Sequence, residues 1–349
     1  GIIKDAIIEK GQAVSDEDTF RDYASKITEI GETVKETRFN VNLDMFLPTV
    51  DENGETSSRD IYKEDRYDII LSGVKRVNNL AFYAAFRDKP IKKIIADDVE
   101  YVGKNGFSFA CTWLSATAST PSIHVEFNKI EEVSGFEAFR CFFNSRPNAS
   151  AVFPKLKKIS GERAFQEFQT SSNTPIYPDV LFPSLEEVTG RLALDHLMGY
   201  SHPKGLAFSK LKKINGPDMS ENYQAVFYSD YGDYYFPSAI EFTGRLWYIT
   251  SYLGNIHFAI KNREAIEACD NYADKWGYPK ATIHFDLVTN IIVNDIIYYR
   301  KYTIGDYTSW ENENGDIVYT AYNIEPSIDS VVYSDEKLTT EFGTVSAIE

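Results

Sequence analysis

Cysteine is scarce in this sequence of 349 residues, and the three that occur stand far apart. Cys111, Cys141 and Cys269 are too few and too scattered for a disulfide framework, and no CxxC pair is present to hold a metal ion. A thiol without such partners usually behaves as a small apolar side chain. We therefore predict that the cysteines are buried in a hydrophobic core.

Positive charge is also in short supply. The chain has 36 lysine and arginine residues against 52 aspartate and glutamate residues, a net charge of -16. Because affinity for phosphate backbones and anionic lipids comes from basic residues, this balance argues against nucleic acid and membranes as partners. No apolar run reaches the length of a membrane span, and the opening string GIIKDAIIEKGQ lacks the pattern of a secretion leader. We expect a soluble chain without membrane insertion.

Recognisable catalytic motifs are missing as well. The sequence contains no P-loop, no GxGxxG string and no GxSxG elbow. His124, His257 and His284 alternate with apolar residues in strand-like strings, so their side chains should point outward. His257 and His284 could lie on adjacent strands, but no third metal ligand accompanies them. We predict a protein that is not an enzyme and has neither a metal site nor a cofactor.

What the sequence does contain is a repeat. Its frame begins with Phe, carries apolar residues three and six positions on, and continues with Gly and an Ala-apolar pair. The copies are FNKIEEVSGFEAF at 127, FPKLKKISGERAF at 153, FPSLEEVTGRLAL at 182, FSKLKKINGPDMS at 208 and FPSAIEFTGRLWY at 236, with looser copies at 74 and 99. Spacings of 26, 29, 26 and 28 residues are typical of leucine-rich repeats and predict a solenoid.

A short alternating run precedes each copy and predicts a strand whose alternate side chains face the core. The inward positions are Val125, Phe127, Phe153, Val180, Phe182, Leu206, Phe208, Tyr234 and Phe236. Pairs such as Leu156 with Ile159 and Ala164 with Phe165 should add further buried layers. Because one coil cannot cover its own apolar face, we expect stability to come from stacked neighbours.

The two residues between the apolar pair change sign from copy to copy. They read Lys75-Arg76, Glu100-Tyr101, Glu131-Glu132, Lys157-Lys158, Glu186-Glu187, Lys212-Lys213 and Ile240-Glu241. In coils stacked in register, opposite charges would meet at all but one step, each pair contributing about 0.2–1 kcal/mol. We interpret these carboxylates as register markers rather than as the acid/base pair of a hydrolase.

The string VSGFEAFRCFF, and Phe-x-x-Leu-x-x-Ile followed by Ala-Phe, resemble the BspA-type leucine-rich repeat of bacterial surface proteins and phage-encoded proteins. The resemblance covers residues 74 to about 262, although Pro217-Asp218-Met219 and Trp247-Tyr248 depart from it. It implies an α+β repeat fold: a BspA-like leucine-rich-repeat solenoid with an N-terminal helical segment and a C-terminal small all-β module.

Smaller units flank the predicted solenoid of residues 73–262. Residues 1–36 read as two short helices, an attachment or cap segment similar to those of phage tail and fibre proteins, and residues 37–72 as a β or loop connector. Residues 263–297 predict a helix and a strand that cap the stack. Residues 298–349 predict a small β module, with Asn314-Gly315 as a hairpin turn.

The insertions between coils are rich in Ser, Asn, Thr, Gly, Pro, Tyr and Trp, a composition typical of recognition loops. The candidates for a binding surface are Trp113, Tyr177, Tyr200, His202, Tyr228, Tyr231, Tyr234 and Tyr235. The alternative is that these aromatic side chains pack over the edges of the coils.

A second candidate surface comprises the outward strand positions, which are Glu126, Val152, Leu181, Ala207, Tyr235 and His257. The middle of this row is uncharged, and a contiguous exposed apolar patch usually marks a contact. We expect another subunit, or the chain's own terminal segments, to cover it.

The resemblance implies a noncatalytic bacteriophage or prophage virion component, a tail or fibre protein that presents a binding surface to a host-surface ligand or partner protein. The alternative is a bacterial cell-surface BspA-like adhesin, while a glycan-cleaving fibre enzyme would need a close carboxylate pair in a groove. Expected partners are a protein or a cell-surface glycan and other virion proteins, and a homotrimer would suit the class. The expected location is the virion if the chain is phage-encoded, and otherwise the bacterial surface or the medium.

Overall fold

The computed structural model describes residues 67–71, 73–88, 91–113, 122–146, 148–169, 176–197, 206–216, 227–228, 233–243, 247–248, 255–269, 282–304, 307–321 and 325–348. Within them the chain forms a β-solenoid-like stack of coils followed by a small closed β-barrel. The predicted N-terminal helices and the connector as far as residue 66 lie outside the described residues.

The strands of the stack are short. They are β1 (Tyr67–Ile70), β2 (Arg76–Val77), β3 (Ile91–Ile95), β4 (Tyr101–Val102), β5 (Ile123–Glu126), β6 (Glu132–Val133), β7 (Ala149–Val152), β8 (Lys158–Ile159), β9 (Glu187–Val188), β10 (Leu206–Ala207), β11 (Lys213–Asn215), β12 (Phe227–Tyr228), β13 (Tyr234–Phe236), β14 (Glu241–Thr243), β15 (Trp247–Tyr248), β16 (Asn255–Ala259) and β17 (Thr282–Leu287). The helical elements are α1 (Pro178–Leu181), a 3-10 helix (Ile260–Asn262) and α2 (Arg263–Glu267).

One side of each coil, the strand side, comes from the alternating runs. Its strands pair in parallel in two four-stranded sheets, β1-β3-β5-β7 and β10-β13-β16-β17. Val125 lies in register with Ala151 on one neighbouring strand and with Ile94 on the other. All of the predicted inward positions are buried except Val180, and Leu156, Ile159, Ala164 and Phe165 are buried with them.

The prediction for Val180 is wrong because this coil carries α1 in place of a strand. Pro178 begins the helix, where its fixed φ suits the first turn and its missing N–H costs nothing. The helix turns Val180 to solvent and Leu181 inward. The carbonyl of Leu181 still accepts a hydrogen bond from the N–H of Phe153 at 2.8 Å, so the coil stays attached to its neighbour.

A second side, the turn side, follows the recurring glycine. A left-handed residue recurs at every fourth position, as at Glu137, Cys141 and Ser145. Between coils, N–H groups donate to the next carbonyl, from Phe107 to Ala138 at 2.8 Å and from Phe139 to Ala164 at 2.8 Å. Backbone bonding between coils therefore continues where no strand is present.

The recurring phenylalanines form columns through the core. Rings of Phe82, Phe107, Phe139 and Phe165 stack from coil to coil with centroid distances of 4.9, 5.5 and 5.1 Å. Stacked aromatic pairs add about 0.5–1.5 kcal/mol beyond the burial of their surface. The Ala-Phe pair of the repeat is thus a layer of the core, as predicted.

The recurring glycine forms a second column, in which each residue lies against the backbone of the preceding coil. A Cβ atom placed on Gly135 would lie 2.5 Å from the carbonyl oxygen of Val102, and one placed on Gly161 would lie 2.5 Å from that of Gly135. Both distances are far below an ordinary van der Waals contact. Glycine recurs at this position because no side chain fits between the coils.

The third side, the ladder side, carries the charged pairs, and their predicted register is confirmed. Parallel pairing places Lys158 between Glu132 and Glu187, with nitrogen–oxygen distances of 4.0 and 3.8 Å. Lys213 lies opposite Glu241 at 3.1 Å. These ion pairs are solvent-exposed, so each contributes little alone and their effect is on register.

The ladder breaks where the sequence predicts a clash of like charges. Among the described strands, β2 and β4 form a sheet of their own, separate from the five-stranded sheet β14-β11-β9-β8-β6. The break falls between Glu100-Tyr101 and Glu131-Glu132, the one step without alternation. Hydrogen bonding resumes on the turn side, from the N–H of Asn105 to the carbonyl of Phe136 at 2.8 Å.

The C-terminal part contains the predicted helix and strand, but its β module begins at Asn290, inside the segment 263–297 that was predicted as the cap. The predicted helix begins as α2 and the predicted strand is β17, which pairs with β16. The barrel follows, with strands β18 (Asn290–Val293), β19 (Ile296–Ile304), β20 (Tyr307–Glu311), β21 (Ile317–Ala321), β22 (Val331–Tyr333) and β23 (Glu341–Ile348). The hairpin at Asn314-Gly315 joins β20 to β21, as predicted. The barrel core includes Tyr298, Trp310 and Val345.

The described chain is therefore mostly β, rather than the predicted α+β repeat. Where a leucine-rich repeat of the α+β type would place helices, the described coils have turns held by backbone hydrogen bonds. The prediction of buried thiols is confirmed for Cys111 and Cys141, and Cys269 is partly exposed. No helix in the described ranges is both long and apolar enough to cross a membrane.

Candidate functional site

The structure places Trp113 inside the stack, although it was predicted as a surface residue. Its side chain is only 6% exposed. The guanidinium carbon of Arg146 lies 5.1 Å from the centre of the Trp113 ring, and Arg146 donates a hydrogen bond to the carbonyl of Ile91 at 3.2 Å. The pair closes the turn side of two coils, so Trp113 offers no binding surface in this structure.

Tyr234 and Tyr235 are also buried, at 2% and 9% exposure. Tyr234 was predicted both as an inward strand residue and as a surface residue, and the inward prediction, from strand alternation, is confirmed. Tyr235 points to the opposite face, where its ring stacks on His257 with a centroid distance of 4.5 Å. Composition alone marks these residues as recognition aromatics, whereas their place in β13 makes them core residues.

Tyr177 is the one predicted aromatic whose described side chain is partly exposed. It precedes α1 with an extended backbone, and its carbonyl accepts hydrogen bonds from the N–H groups of Val180 and Leu181. Tyr228 lies in β12, but its side chain is outside the described residues, as are Tyr200, His202 and Tyr231 entirely. A binding surface on these loops stays a prediction.

Part of the uncharged row on the outer face of the strand side is covered by the chain itself. Ala207 and Tyr235 form a small buried cluster with Leu287, at the end of β17. Leu181, predicted to face outward in the same row, instead points into the main core because α1 turns it inward. At Ala207 and Tyr235 the chain's own C-terminal part covers the face, which is one of the two alternatives expected, whereas Val152 of the same row is half-buried.

His257 and His284 lie in register on adjacent strands, as predicted. Their rings stack at 4.7 Å, and Asp286 lies 2.9 Å from Nδ1 of His257. The contact with His257 holds the pKa of Asp286 below its usual range against the effect of burial. Parallel rings do not converge on one point, and within the described ranges no group of three potential ligands could hold a metal ion.

Asp179 joins the stack to the barrel. Its carboxylate accepts hydrogen bonds from the N–H and the hydroxyl of Ser209, both at 2.6 Å, and from the N–H of Thr303 in β19 at 3.3 Å. Burial raises the pKa of Asp179 to about 7, despite these donors and the nearby charge of Arg300. A carboxyl group that titrates near neutrality therefore lies at this junction.

Beside Asp179 the stack and the barrel enclose an open groove of about 400 Å³. We call it the junction groove, and the residues that line it include Lys212, Ser238, Ile240, Lys261, Asn262, Tyr299 and Arg300. Its volume lies in the range of small-molecule sites in proteins.

No family model, curated protein or solved structure matches this chain.

The junction groove is basic in a protein that is strongly acidic. Lys212, Lys261 and Arg300 line it, and no described residue of its lining is acidic. Arg300 is held by an ion pair with Glu325, and Lys212 lies 3.3 Å from Glu186. Lys261 is exposed and forms no ion pair with any residue that the structure describes. The groove can therefore accept negative charge.

Sequence reasoning missed the junction groove because its residues come from distant segments. Lys212 belongs to the ladder, Lys261 to the 3-10 helix and Tyr299 to the barrel. One local signal was present: Ile240 occupies a ladder position where alternation calls for an acidic residue. That departure was visible in the sequence, but its position beside a groove was not.

Another groove, of about 490 Å³, opens at the break in the ladder. Glu100, Glu131 and Glu132 line it together with Lys129 and Lys155. Its carboxylates and ammonium groups are mixed, so the local charges largely compensate one another. This groove follows from the interrupted sheet and shows no preference for a ligand of one sign.

Proposed function

We propose that this chain is a noncatalytic component of a bacteriophage or prophage virion, a tail or fibre protein that presents a repeat-based surface to a host-surface ligand or partner protein. The observation that carries the proposal is the use of the recurring residues. Phe139, Gly161 and Lys158, and their counterparts in other coils, serve packing, coil spacing and register. The recurring residues have structural roles in the scaffold, so the positions that do not recur are the ones available for recognition.

A stacked scaffold suits a virion part mechanically. Parallel strands and turn hydrogen bonds join neighbouring coils, and bonding continues on other sides where the ladder is interrupted or α1 replaces a strand. Such an array is stabilised through each nearest-neighbour interface, so it can hold a binding surface away from its point of attachment. The resemblance to phage-encoded BspA-type repeats supports the same role.

The expected homotrimer stays a prediction. One reason to expect a trimer was the uncharged outer face, and Leu287 covers part of that face at Ala207 and Tyr235. Light scattering at several protein concentrations measures the mass in solution. A stable trimer would place the subunit contact elsewhere, and a monomer would be compatible with attachment as a single copy.

The role is tested by immunogold labelling with antibodies raised against the purified chain. The samples are virus particles released from the source strain after prophage induction, and intact cells of the uninduced culture. Label on the tails or fibres of particles is the expected result. Label confined to the cell envelope would identify a bacterial adhesin instead, and label on neither would refute a role at either surface.

A further inference from the structure

The junction groove lies where the charge ladder ends early. Along one column the residues read Glu131, Lys157, Glu186, Lys212 and Ile240. Lys157 pairs with Glu131 at 3.8 Å, and Lys212 pairs with Glu186 at 3.3 Å. The next coil should offer Lys212 a second carboxylate, but Ile240 stands there, its N–H bonded to the carbonyl of Lys212 at 3.1 Å. Lys212 is thus left with a carboxylate on one side only.

The position of the missing carboxylate faces the junction groove. Lys261 is a second cation of the groove, and unlike Lys212 it forms no ion pair with a described residue. Ile240 is 52% exposed and Tyr299 is 44% exposed, so the same groove presents an aliphatic and an aromatic surface. Ser238 and Asn262 also line the groove, where the Ser238 hydroxyl donates to the carbonyl of Ser209 at 2.7 Å and the Asn262 amide donates to that of Pro237 at 3.3 Å. Cations, an aromatic ring and polar groups therefore converge in one cleft.

We propose that the junction groove binds a carboxylate-bearing saccharide, such as a uronic or sialic acid residue of a surface glycan. The carboxylate takes the place that an acidic ladder residue would occupy, beside Lys212 and Lys261. The apolar C–H face of the sugar ring packs on Tyr299 and Ile240. The proposal rests on the proposed function, because it names the class of host-surface ligand that the chain recognises.

A saccharide suits the groove better than a protein segment does. A volume of about 400 Å³ holds one or two sugar rings. Rigid aromatic area combined with short polar side chains provides both packing and adaptable hydrogen bonds. Because the cations lie at the surface, binding should weaken as ionic strength rises.

The test is titration calorimetry of the full chain at low salt with two acidic probes, digalacturonate and 3'-sialyllactose. The neutral controls are digalactose, which keeps both rings of digalacturonate and lacks its carboxylates, and lactose, which lacks the sialic acid residue of 3'-sialyllactose. We expect at least one acidic probe to bind and its neutral control to bind about tenfold more weakly, since a charged hydrogen bond is worth about that factor or more.

The decisive variant is Ile240→Glu, which restores the alternation of the ladder. The new carboxylate should pair with Lys212 and preserve folding, while it fills the ligand position and lowers affinity for the acidic probe by about tenfold or more. Lys261→Ala should lower affinity by a similar factor. The matched control is Lys157→Ala, which removes a cation of the same column away from the groove and should leave affinity unchanged.

Three results would overturn the proposal: no binding of either acidic probe up to about 10 mM, equal affinity for neutral and acidic sugars, or unaltered affinity in Ile240→Glu. Tighter binding of an acidic peptide than of both probes would also overturn it, because the groove would then be a protein-binding site. These results are independent of immunogold labelling, so the virion role can hold while the saccharide assignment fails.

Discussion

Replacing Gly161 by alanine should force two coils apart. The added Cβ atom would lie 2.5 Å from the carbonyl oxygen of Gly135, 3.0 Å from the carbonyl carbon of Ser134 and 3.1 Å from that of Gly135. All of these are backbone atoms, which cannot rotate away as the end of a side chain can. Relief of the overlap requires the neighbouring coil to shift by about 1 Å, because ordinary contacts begin near 3.4 Å.

The cost has two parts. Overpacking in a close-packed site typically destabilises a protein by about 1–3 kcal/mol. A shift between coils also stretches hydrogen bonds to Val133 from the N–H groups of Ser160 at 2.9 Å and of Gly161 at 3.0 Å. Each bond contributes about 0.5–1.5 kcal/mol net. We expect Gly161→Ala to lower the free energy of unfolding by about 3 kcal/mol.

Urea unfolding followed by circular dichroism measures this loss. The matched control is Ser134→Ala, an exposed position next to Gly135 in the facing coil, which should change the free energy of unfolding by less than about 0.5 kcal/mol. If Gly161→Ala is as stable as this control, steric spacing is not why glycine recurs, and the account of the glycine column is wrong.

Further predictions concern charge, pH and backbone strain. Lys158→Glu places like charges opposite Glu132 and Glu187, so it should destabilise the chain by about 1 kcal/mol at low salt and less at high salt, as urea midpoints at both salt concentrations would show. The folded-state pKa of Asp179, about 7, lies above the value of 3.8 for an ordinary aspartate. At pH values between these two, the folded chain binds a proton that the unfolded chain has lost, so stability falls as the pH rises toward 7. Relative to Asp179→Asn, which cannot titrate, the parent should therefore lose about 2 kcal/mol between pH 5 and 8, and a constant difference in thermal denaturation would contradict this. Leu80 is 59% exposed with φ of 59°, and Leu80→Asn should raise the free energy of unfolding by about 0.5–1 kcal/mol through relieved strain, whereas Leu80→Val should lower it, as urea unfolding would show.

The register of the stack could be predicted because it depends on the charges of the residues at the ladder positions. Sign alternation at Glu132, Lys158 and Glu187 specifies which residues face one another, whatever the detailed path of the chain. The Ala-Phe layer was equally accessible, since apolar periodicity reports burial directly. The glycine that recurs at the same spacing was also visible in the sequence. Why it must be glycine depends on the distance between coils, which the sequence does not give.

Other features could not be predicted from local patterns. In α1, Pro178 is a helix-start signal that the surrounding apolar run obscured. Trp113 and Tyr235 are residue types that are common in recognition surfaces. Their burial depends on contacts with distant residues, Arg146 over the Trp113 ring and Leu287 beside Tyr235. The junction groove requires the barrel to dock beside the last coils, which no segment specifies alone.

The alternating ladder also constrains how such an array can grow. Inserting or deleting one coil would bring like charges together, whereas two coils added at once preserve every pairing. The sequence is consistent with growth by pairs: KLKKISG at 155 returns as KLKKING at 210, and TGRL at 189 returns at 243, separations of 55 and 54 residues. Duplication of a two-coil unit would produce both recurrences, so the unit by which this stack can lengthen without a charge clash is a pair of coils with opposite charge.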